Sequence, residues 1–400
     1  MRRSQREEPP MVDPQHVAAS PESVGVDAAK LAVLLDRAER EVRDGILPSA
    51  QVALAREGKL VALRTFGSAT FEGHAAPADD ETLYVIFSCT KAITSAAAWL
   101  LIEEGKLRLD ARVADLLPEF GAHGKQAVTV EQLFTHTAGF PRAPLDPLAV
   151  DWRTLPAAFA RWRLDWEPGS RFEYHPSSSM WVIAALVQAI SGSDFRDFVR
   201  TRVAEPLGLP DLRVGCPRAE QDRVADVVHV GRAWTNAELA EKGFPPIPET
   251  EVTEENLQRF NDPEVRAIGV PGGGGTATAA DLALFYQALL AGGRGVWRPE
   301  TIEDARRIRS RELLDPMFGK PANRALGLVV SGGPDKVYLG FGRTGSDAMF
   351  GHLGAGGQIA WADPATGLSF AYLTNGHDRG VLRAARRTTA LSSLAAVCAR

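Results

Sequence analysis

The 400-residue chain carries 45 Lys plus Arg against 50 Asp plus Glu, a formal net charge of −5, with 45% hydrophobic and 24% charged residues. Such a composition describes a globular chain long enough for one large domain or two modest ones, and it excludes disordered and collagen-like classes. A mild acidic excess supplies no counterion-release drive towards nucleic acid or anionic lipid, so no nucleic-acid partner is expected.

Cys89, Cys216 and Cys398 are the three cysteines, an odd number at no metal-ligand spacing. Neither a disulfide framework nor a zinc site follows, and a reducing compartment fits best. The first ten residues carry charge without an apolar h-region, and no later stretch holds about 18 uninterrupted apolar residues. The expectation is a cytoplasmic protein without membrane insertion, metal or cofactor.

Residues 1–22 are polar, proline-bearing and without periodicity, and are expected as a flexible arm. From Asp27 the spacing of Leu31, Leu34, Leu35, Ala38 and Val42 predicts an amphipathic helix, with Gly45 as its stop. Ala50–Leu54 and Leu60–Phe66 flank Glu57-Gly58-Lys59 and read as a β-hairpin. Helical patterns dominate from about 106 to 280, at Val130–Phe134, Met180–Ile190, Asp194–Val203 and Ala279–Ala291. Near the C-terminus Val337–Phe341, Gln358–Ala362 and Ser369–Thr374 read as strands, and a helix from about Leu382 to Ala399 closes the chain.

Strands at both ends with helices between them predict an α+β fold: a central antiparallel sheet flanked by helices, carrying an inserted, mainly helical region. The first and last helices are expected on one face of that sheet and the helix after Ser88 on the other. The expected division is a sheet domain of 23–105 and 266–400 and an inserted domain of 106–265, in which the charged, proline-bearing 222–265 runs as a mobile surface excursion.

Ser88-Cys89-Thr90-Lys91 follows the apolar run Leu83–Phe87 and opens a helix running to about Glu104. Serine and lysine at i and i+3 share one helical face. As a tetrapeptide the pattern carries little information, since Ser88 would serve equally as an N-cap and Lys91 as a solvated charge. The following residues, Ala92 to Ile102, are apolar on nearly every side, which makes the helix central and buried. Burial and a helix N-terminus both disfavour an ammonium form, leaving an amine able to take the Ser88 proton. A backbone N–H at that terminus is also placed to stabilise an oxyanion.

Further motifs follow in order: Glu104-Gly105-Lys106-Leu107, Leu133-Phe134-Thr135-His136-Thr137-Ala138-Gly139, Pro168-Gly169-Ser170-Arg171-Phe172-Glu173-Tyr174, Pro206-Leu207-Gly208-Leu209, Gly272-Gly273-Gly274-Gly275-Thr276, and His352-Leu353-Gly354-Ala355-Gly356-Gly357. Over about residues 25–390 the chain resembles the serine β-lactamase and penicillin-binding-protein superfamily. The branch it is most similar to contains class C β-lactamases, DD-peptidases, D-aminopeptidases and family VIII carboxylesterases.

That resemblance implies that Ser88 is a nucleophile, that Lys91 and Tyr174 together act as its base, and that the N–H groups of Ser88 and Ala355 form an oxyanion hole. His352 and Gly354 occupy the third motif and would line the substrate cleft, with His352 touching a substrate carboxylate or the Tyr174 hydroxyl. Two departures bear on substrate. Tyr174-His175-Pro176 lacks the asparagine amide of the family's Tyr-x-Asn, and His352 replaces a lysine, removing a permanent positive charge.

The expected activity is hydrolysis of small to medium carboxylic esters through an acyl-enzyme. An amidase or D-amino-acid peptidase, an acyltransferase, weak β-lactamase side activity and a non-catalytic scaffold are the alternatives. His136 is expected to brace its turn, Cys89 to pack beneath the helix, and the 272–275 glycines to let the backbone pass close to the site. Trp152, Trp162, Trp166 and Trp181 would line an acyl pocket or fill the core. No Gly-x-Ser-x-Gly elbow or His-Glu-x-x-His motif occurs.

Overall fold

The computed structural model describes residues 13–246, 252–310 and 312–400. A seven-stranded antiparallel sheet organises the chain. Its members in chain order are β1 (Ser49–Arg56), β2 (Lys59–Phe71), β3 (His74–Pro77), β4 (Val329–Val330), β5 (Phe350–Leu353), β6 (Ile359–Asp363) and β7 (Leu368–Thr374), and the spatial order is β4-β5-β6-β7-β1-β2-β3. The N-terminal hairpin thus docks beside the C-terminal strands, Val52 pairing with Tyr372 on one side and Arg64 on the other.

Strand β1 is buried along nearly its whole length, so both faces of the sheet are covered. Its side chains alternate with the period of two. Val52 and Leu54 enter a core with Leu31, Leu34, Phe370, Tyr372 and Leu391, where helices α1 (Ala28–Arg43) and α5 (Val381–Ala396) lie. Asp27 caps α1 by accepting from the N–H groups of Ala29 and Lys30. Each fully buried Leu or Phe in such a layer contributes about 1.5–3 kcal/mol.

The opposite face differs from the expectation. Ala53, Ala55, Ala360 and Ala371 leave room for α4 (Ala279–Leu290) to lie directly on β1, β6 and β7. Gln287 Nε2 donates to Ala55 O at 3.1 Å, and Ser369 Oγ donates to Ala283 O at 2.7 Å. The Ser88 helix, α2 (Thr90–Glu103), reaches the sheet only near β5 and packs chiefly against α3 (Ser178–Ser191). Every residue of α2 from Thr90 to Leu101 is buried, as its apolar circumference requires.

Two further expectations change. Val337–Phe341 is no strand: Pro334–Val337 forms a 3-10 turn, and Gly340 at φ +87° bends the chain away. The burial of Leu339 and Phe341 and the exposure of Tyr338 keep the alternation that suggested a strand, but the backbone is not extended there. Within 222–265, Val228–Val230 pairs in parallel with Gly376–Asp378, and the described residues from 252 onward build a wall of the cavity beside Ser88 rather than an excursion. Residues 1–12 of the expected arm lie outside the described residues, while Ala18 N donates to Leu60 O on β2 at 2.8 Å. Among the described residues no helix is long and apolar enough to cross a membrane.

Candidate active site

Tyr84–Val85 pairs antiparallel with Thr276–Ala277, and Ile86 N donates to Gly275 O at 2.9 Å. This short ladder fixes the approach to Ser88 and draws the glycine segment alongside it. Phe87 then takes φ +44°, a left-handed conformation that costs a non-glycine residue about 1–3 kcal/mol. Its ring is buried edge-on against Phe260, with centroids 5.5 Å apart. Thr90 Oγ1 donates to Phe87 O and accepts from Gly275 N, holding the turn from which Ser88 projects.

Three expected side chains meet here. Ser88 Oγ lies 3.1 Å from Lys91 Nζ and 2.9 Å from Tyr174 Oη. Lys91 is fully buried, and its nitrogen also donates to Pro176 O at 2.6 Å and Gly272 O at 2.7 Å. With two N–H groups committed to carbonyls, the third hydrogen-bonding direction of the nitrogen faces Ser88 Oγ. The proline that stands in place of the family's asparagine therefore takes part through its carbonyl.

The histidines around Tyr174 are buried and held neutral. His136 ring nitrogen Nδ1 accepts from His175 N, and burial, followed by Arg324, lowers its pKa well below the usual imidazole range. His175 donates from Nδ1 to Glu173 O and accepts at Nε2 from Phe140 N, and burial lowers its pKa to about 3. Both brace the loop carrying Tyr174, as expected for His136.

Of the two contacts expected for His352, the one to the Tyr174 hydroxyl is not made. Its Nδ1 faces Leu353 O at 2.6 Å, which makes Nδ1 the protonated nitrogen, and its buried Nε2 has no hydrogen-bond partner. The ring centroid is 6.2 Å from that of Tyr174, so the rings are neighbours and the Tyr174 hydroxyl is engaged with Ser88 instead. Burial, then Lys91 and Arg324, lowers the His352 pKa well below 6.5. Gly354 serves close packing: a Cβ there would sit 2.5 Å from Ile86 O, and its N–H donates to Gln358 O. Ala355 lines the cavity together with Ser88. Cys89 is buried under the helix and donates from Sγ to His352 O.

A cavity of about 130 Å³ opens beside Ser88, with Trp181, Leu257, Phe260 and Val270 among its walls. Trp181 is the tryptophan that reaches it. Trp152 stands behind Trp181 at 5.3 Å, Trp162 anchors to Pro144 O, and Trp166 stacks under Arg171. The charged residue in the wall is Arg259, which pairs at 2.5 Å with Asp146 behind it.

Two groups escaped the sequence reading. Asn256 brings an amide into the cavity wall from the 252–268 segment, although the tyrosine motif itself has none. Arg324 brings a buried guanidinium 5.2 Å from the Tyr174 ring centroid, so a permanent charge does stand at this flank despite the loss of a lysine at 352. Neither belongs to a local motif, and only tertiary packing delivers them.

The Beta-lactamase family model matches residues 35–395. Esterase/beta-lactamase LipL of Mycobacterium tuberculosis is 30% identical, with 73% of this chain and 68% of that protein covered. Esterase EstB of Burkholderia gladioli is also 30% identical, over 72% of this chain and 76% of its own. The crystal structure of a family VIII carboxylesterase matches with a TM-score of 0.72 at 28% identity, covering 91% of this chain and 99% of the other. A family match across nearly all of the chain, on a fold shared with such a structure, places this protein in the Beta-lactamase family.

Proposed function

We propose that this protein is a serine hydrolase that cleaves carboxylic esters through an acyl-enzyme on Ser88. The observation that carries the reading is Ser88 Oγ held between Lys91 Nζ at 3.1 Å and Tyr174 Oη at 2.9 Å, at the lip of a largely apolar cavity. A serine hydroxyl is a weak nucleophile until a base within hydrogen-bond reach takes its proton, and here two groups are within reach.

In this mechanism Ser88 Oγ attacks the ester carbonyl while its proton passes to the Lys91 and Tyr174 pair. The N–H groups of Ser88 and Ala355 hold the tetrahedral oxyanion. Collapse breaks the ester C–O bond, and the proton leaves with the alcohol by way of Tyr174. Water then attacks the acyl-serine, gives a proton back through the same pair, and releases the acid and free Ser88. Relatives named as esterases and a carboxylesterase of the same fold support the ester as substrate. So does the cavity wall, in which the charged lining residue, Arg259, is paired with Asp146.

Burst kinetics with p-nitrophenyl acetate and butyrate, beside nitrocefin, tests the reading. Ester turnover abolished in Ser88→Ala, together with fluorophosphonate labelling of Ser88 in the native protein, is the expected result. Turnover that survives the substitution removes Ser88 as nucleophile. An amidase of the same mechanism is a second reading, favoured by Asn256 in the wall, which offers an amide partner to an amide-bearing acyl group. A matched ester and anilide pair, compared before and after Asn256→Ala, separates the two.

A further inference from the structure

His377 and His229 stand opposite each other in the parallel pair that joins Gly376–Asp378 to Val228–Val230. Their Nδ1 atoms lie 3.2 Å apart, and the ring planes are nearly perpendicular at 87°. His229 Nε2 lies 2.9 Å from Glu254 O, a carbonyl that can only accept, so this nitrogen carries the hydrogen. In two neutral rings His229 Nδ1 is then the acceptor and His377 Nδ1 the donor. Burial, the leading cause, lowers the His377 pKa to about 4 and keeps that ring neutral. The two bonds form a relay from the strand after β7, through both imidazoles, to the first turn of the helix Glu254–Gln258.

Both ends of the relay border the Ser88 site. Glu254 opens the helix that places Asn256 and Leu257 in the wall of the 130 Å³ cavity. At the other end His377 packs on Gly356, where an added Cβ would lie 3.2 Å from the His377 Cα and Cδ2. Gly356 follows Ala355 in the turn that crosses the site, and His377 and Leu257 share the walls of a second cavity of about 410 Å³ behind that turn. A helix of five residues has too few internal bonds to fix its own position and depends on ties to its surroundings. Beyond its C-terminal end the Asn261 side chain exchanges two hydrogen bonds with the Val227 backbone. At its first turn, Arg379 Nη1 approaches the Glu254 carboxylate only to 3.5 Å, and such a half-exposed pair contributes little.

We propose that His377 and His229 are positioning residues for acyl selection: their hydrogen-bond relay holds the Glu254–Gln258 helix so that Leu257 remains the partition between the Ser88 cavity and the cavity behind Gly354–Gly357. This rests on the reading of Ser88 as the nucleophile of an esterase, and it names short acyl groups as the class the relay selects.

The test is the kcat/KM ratio of p-nitrophenyl octanoate to acetate in the native protein, His377→Phe and His377→Asn. Phenylalanine keeps a ring against Gly356 without an N–H, whereas the asparagine amide nitrogen can stand where Nδ1 does. His377→Phe should raise the ratio by about fivefold or more, and His377→Asn should hold it to within about twofold. His229→Phe should raise it as far as His377→Phe, with no further rise in the double variant, because either break opens the same relay. A native ratio in His377→Phe, an equal rise in His377→Asn, or single effects that multiply in the double variant would each overturn the proposal in favour of ring packing alone. If His377→Phe does not fold, His229→Phe carries the comparison against His377→Asn. Amide hydrogen exchange over 254–258 reads the relay without turnover, and should be about fivefold or more faster in His377→Phe and native in His377→Asn. Unchanged exchange in His377→Phe would overturn the proposal whether or not the protein hydrolyses esters. Exchange as expected in a native protein that cleaves no ester would instead sink the esterase reading and leave the relay standing.

Discussion

The carbonyl oxygen of Gly272 accepts a 2.7 Å hydrogen bond from Lys91 Nζ, and the glycine that supplies it has no room for a side chain. A Cβ at 272 would lie 2.7 Å from Pro176 O, the other carbonyl that holds Lys91, and 3.0 Å from Ser177 Cα. Both obstacles are backbone, so the two carbonyls would be forced apart and the amine would lose its aim at Ser88. Gly272→Ala should lower kcat by about 10²-fold, the usual consequence of displacing a reacting group by about 1 Å. Gly273→Ala is the control, since its added Cβ meets only Phe260 Cζ at 3.5 Å. Similar kcat in the two variants would show that the Gly272 approach does not position Lys91.

The thiol adjacent to Ser88 should be inert. Burial pushes the Cys89 thiol up to about 12, and Cys216 and Cys398 up to about 11 and about 12 for the same leading reason. A thiolate is the reactive species, and at pH 8 almost none is present on groups with such values. Treatment of the folded protein with a thiol-reactive disulfide should leave ester hydrolysis intact and release no chromophore until denaturant exposes all three cysteines. Rapid reaction of one thiol with loss of activity would place Cys89 in contact with solvent.

Acid should destabilise the fold through its buried histidines. Burial lowers His175 to about 3 and His377 to about 4, and lowers His136 and His352 well below 6.5. Below pH 6.5 the unfolded chain takes up protons that the folded chain refuses, so stability present above 6.5 is lost as pH falls towards 4. Each such histidine contributes at most about 1.4 kcal/mol per pH unit in that window. Asp281 acts the other way. Burial beside Asp211 raises it to about 7, so the folded state holds a proton there that the unfolded state gives up. One carboxyl against four imidazoles leaves the histidines in control, and the urea midpoint should be lower at pH 5.5 than at pH 7.5. An equal or higher midpoint at pH 5.5 would mean that these rings reach solvent and titrate normally.

What could be read in the sequence followed the range of each interaction. Ser88 and Lys91 are three residues apart across the 3-10 turn that leads into α2, so their meeting needed only local geometry. Tyr174 lies 86 positions from Ser88 and was placed by motif resemblance, and the hydroxyl does reach Oγ. The lysine cradle joins Pro176 and Gly272, and Arg324 comes from a third segment; no spacing in the chain encodes those approaches. The strand expected at Val337–Phe341 failed on backbone geometry that an alternation of residue types does not carry: Pro334 opens a 3-10 turn and Gly340 takes φ +87°. Similarly, the charge of 222–265 suggested a solvated excursion, but Leu257, Phe260 and Val265 point inward, and these apolar residues decide the placement of 252–265 more strongly than its exposed charges do.

On the esterase reading, the inward face of that segment should also set the acyl preference. Leu257 stands on the short helix Glu254–Gln258, 5% exposed, and lines both the 130 Å³ cavity at Ser88 and a second cavity of about 410 Å³ behind Gly354–Gly357. With leucine in place the Ser88 cavity is closed on that side, and p-nitrophenyl acetate and butyrate should exceed octanoate in kcat/KM. Leu257→Ala removes the partition. The octanoate-to-acetate ratio should then rise by about tenfold or more, since a methylene accommodated in an apolar pocket changes transition-state binding by about 1–3 kcal/mol. The substitution also costs about 2–5 kcal/mol of stability. A ratio taken on one preparation is unaffected by the folded fraction, because both substrates sample the same active molecules. A ratio that stays constant or falls would show that the acyl chain leaves Ser88 along another wall of the cavity.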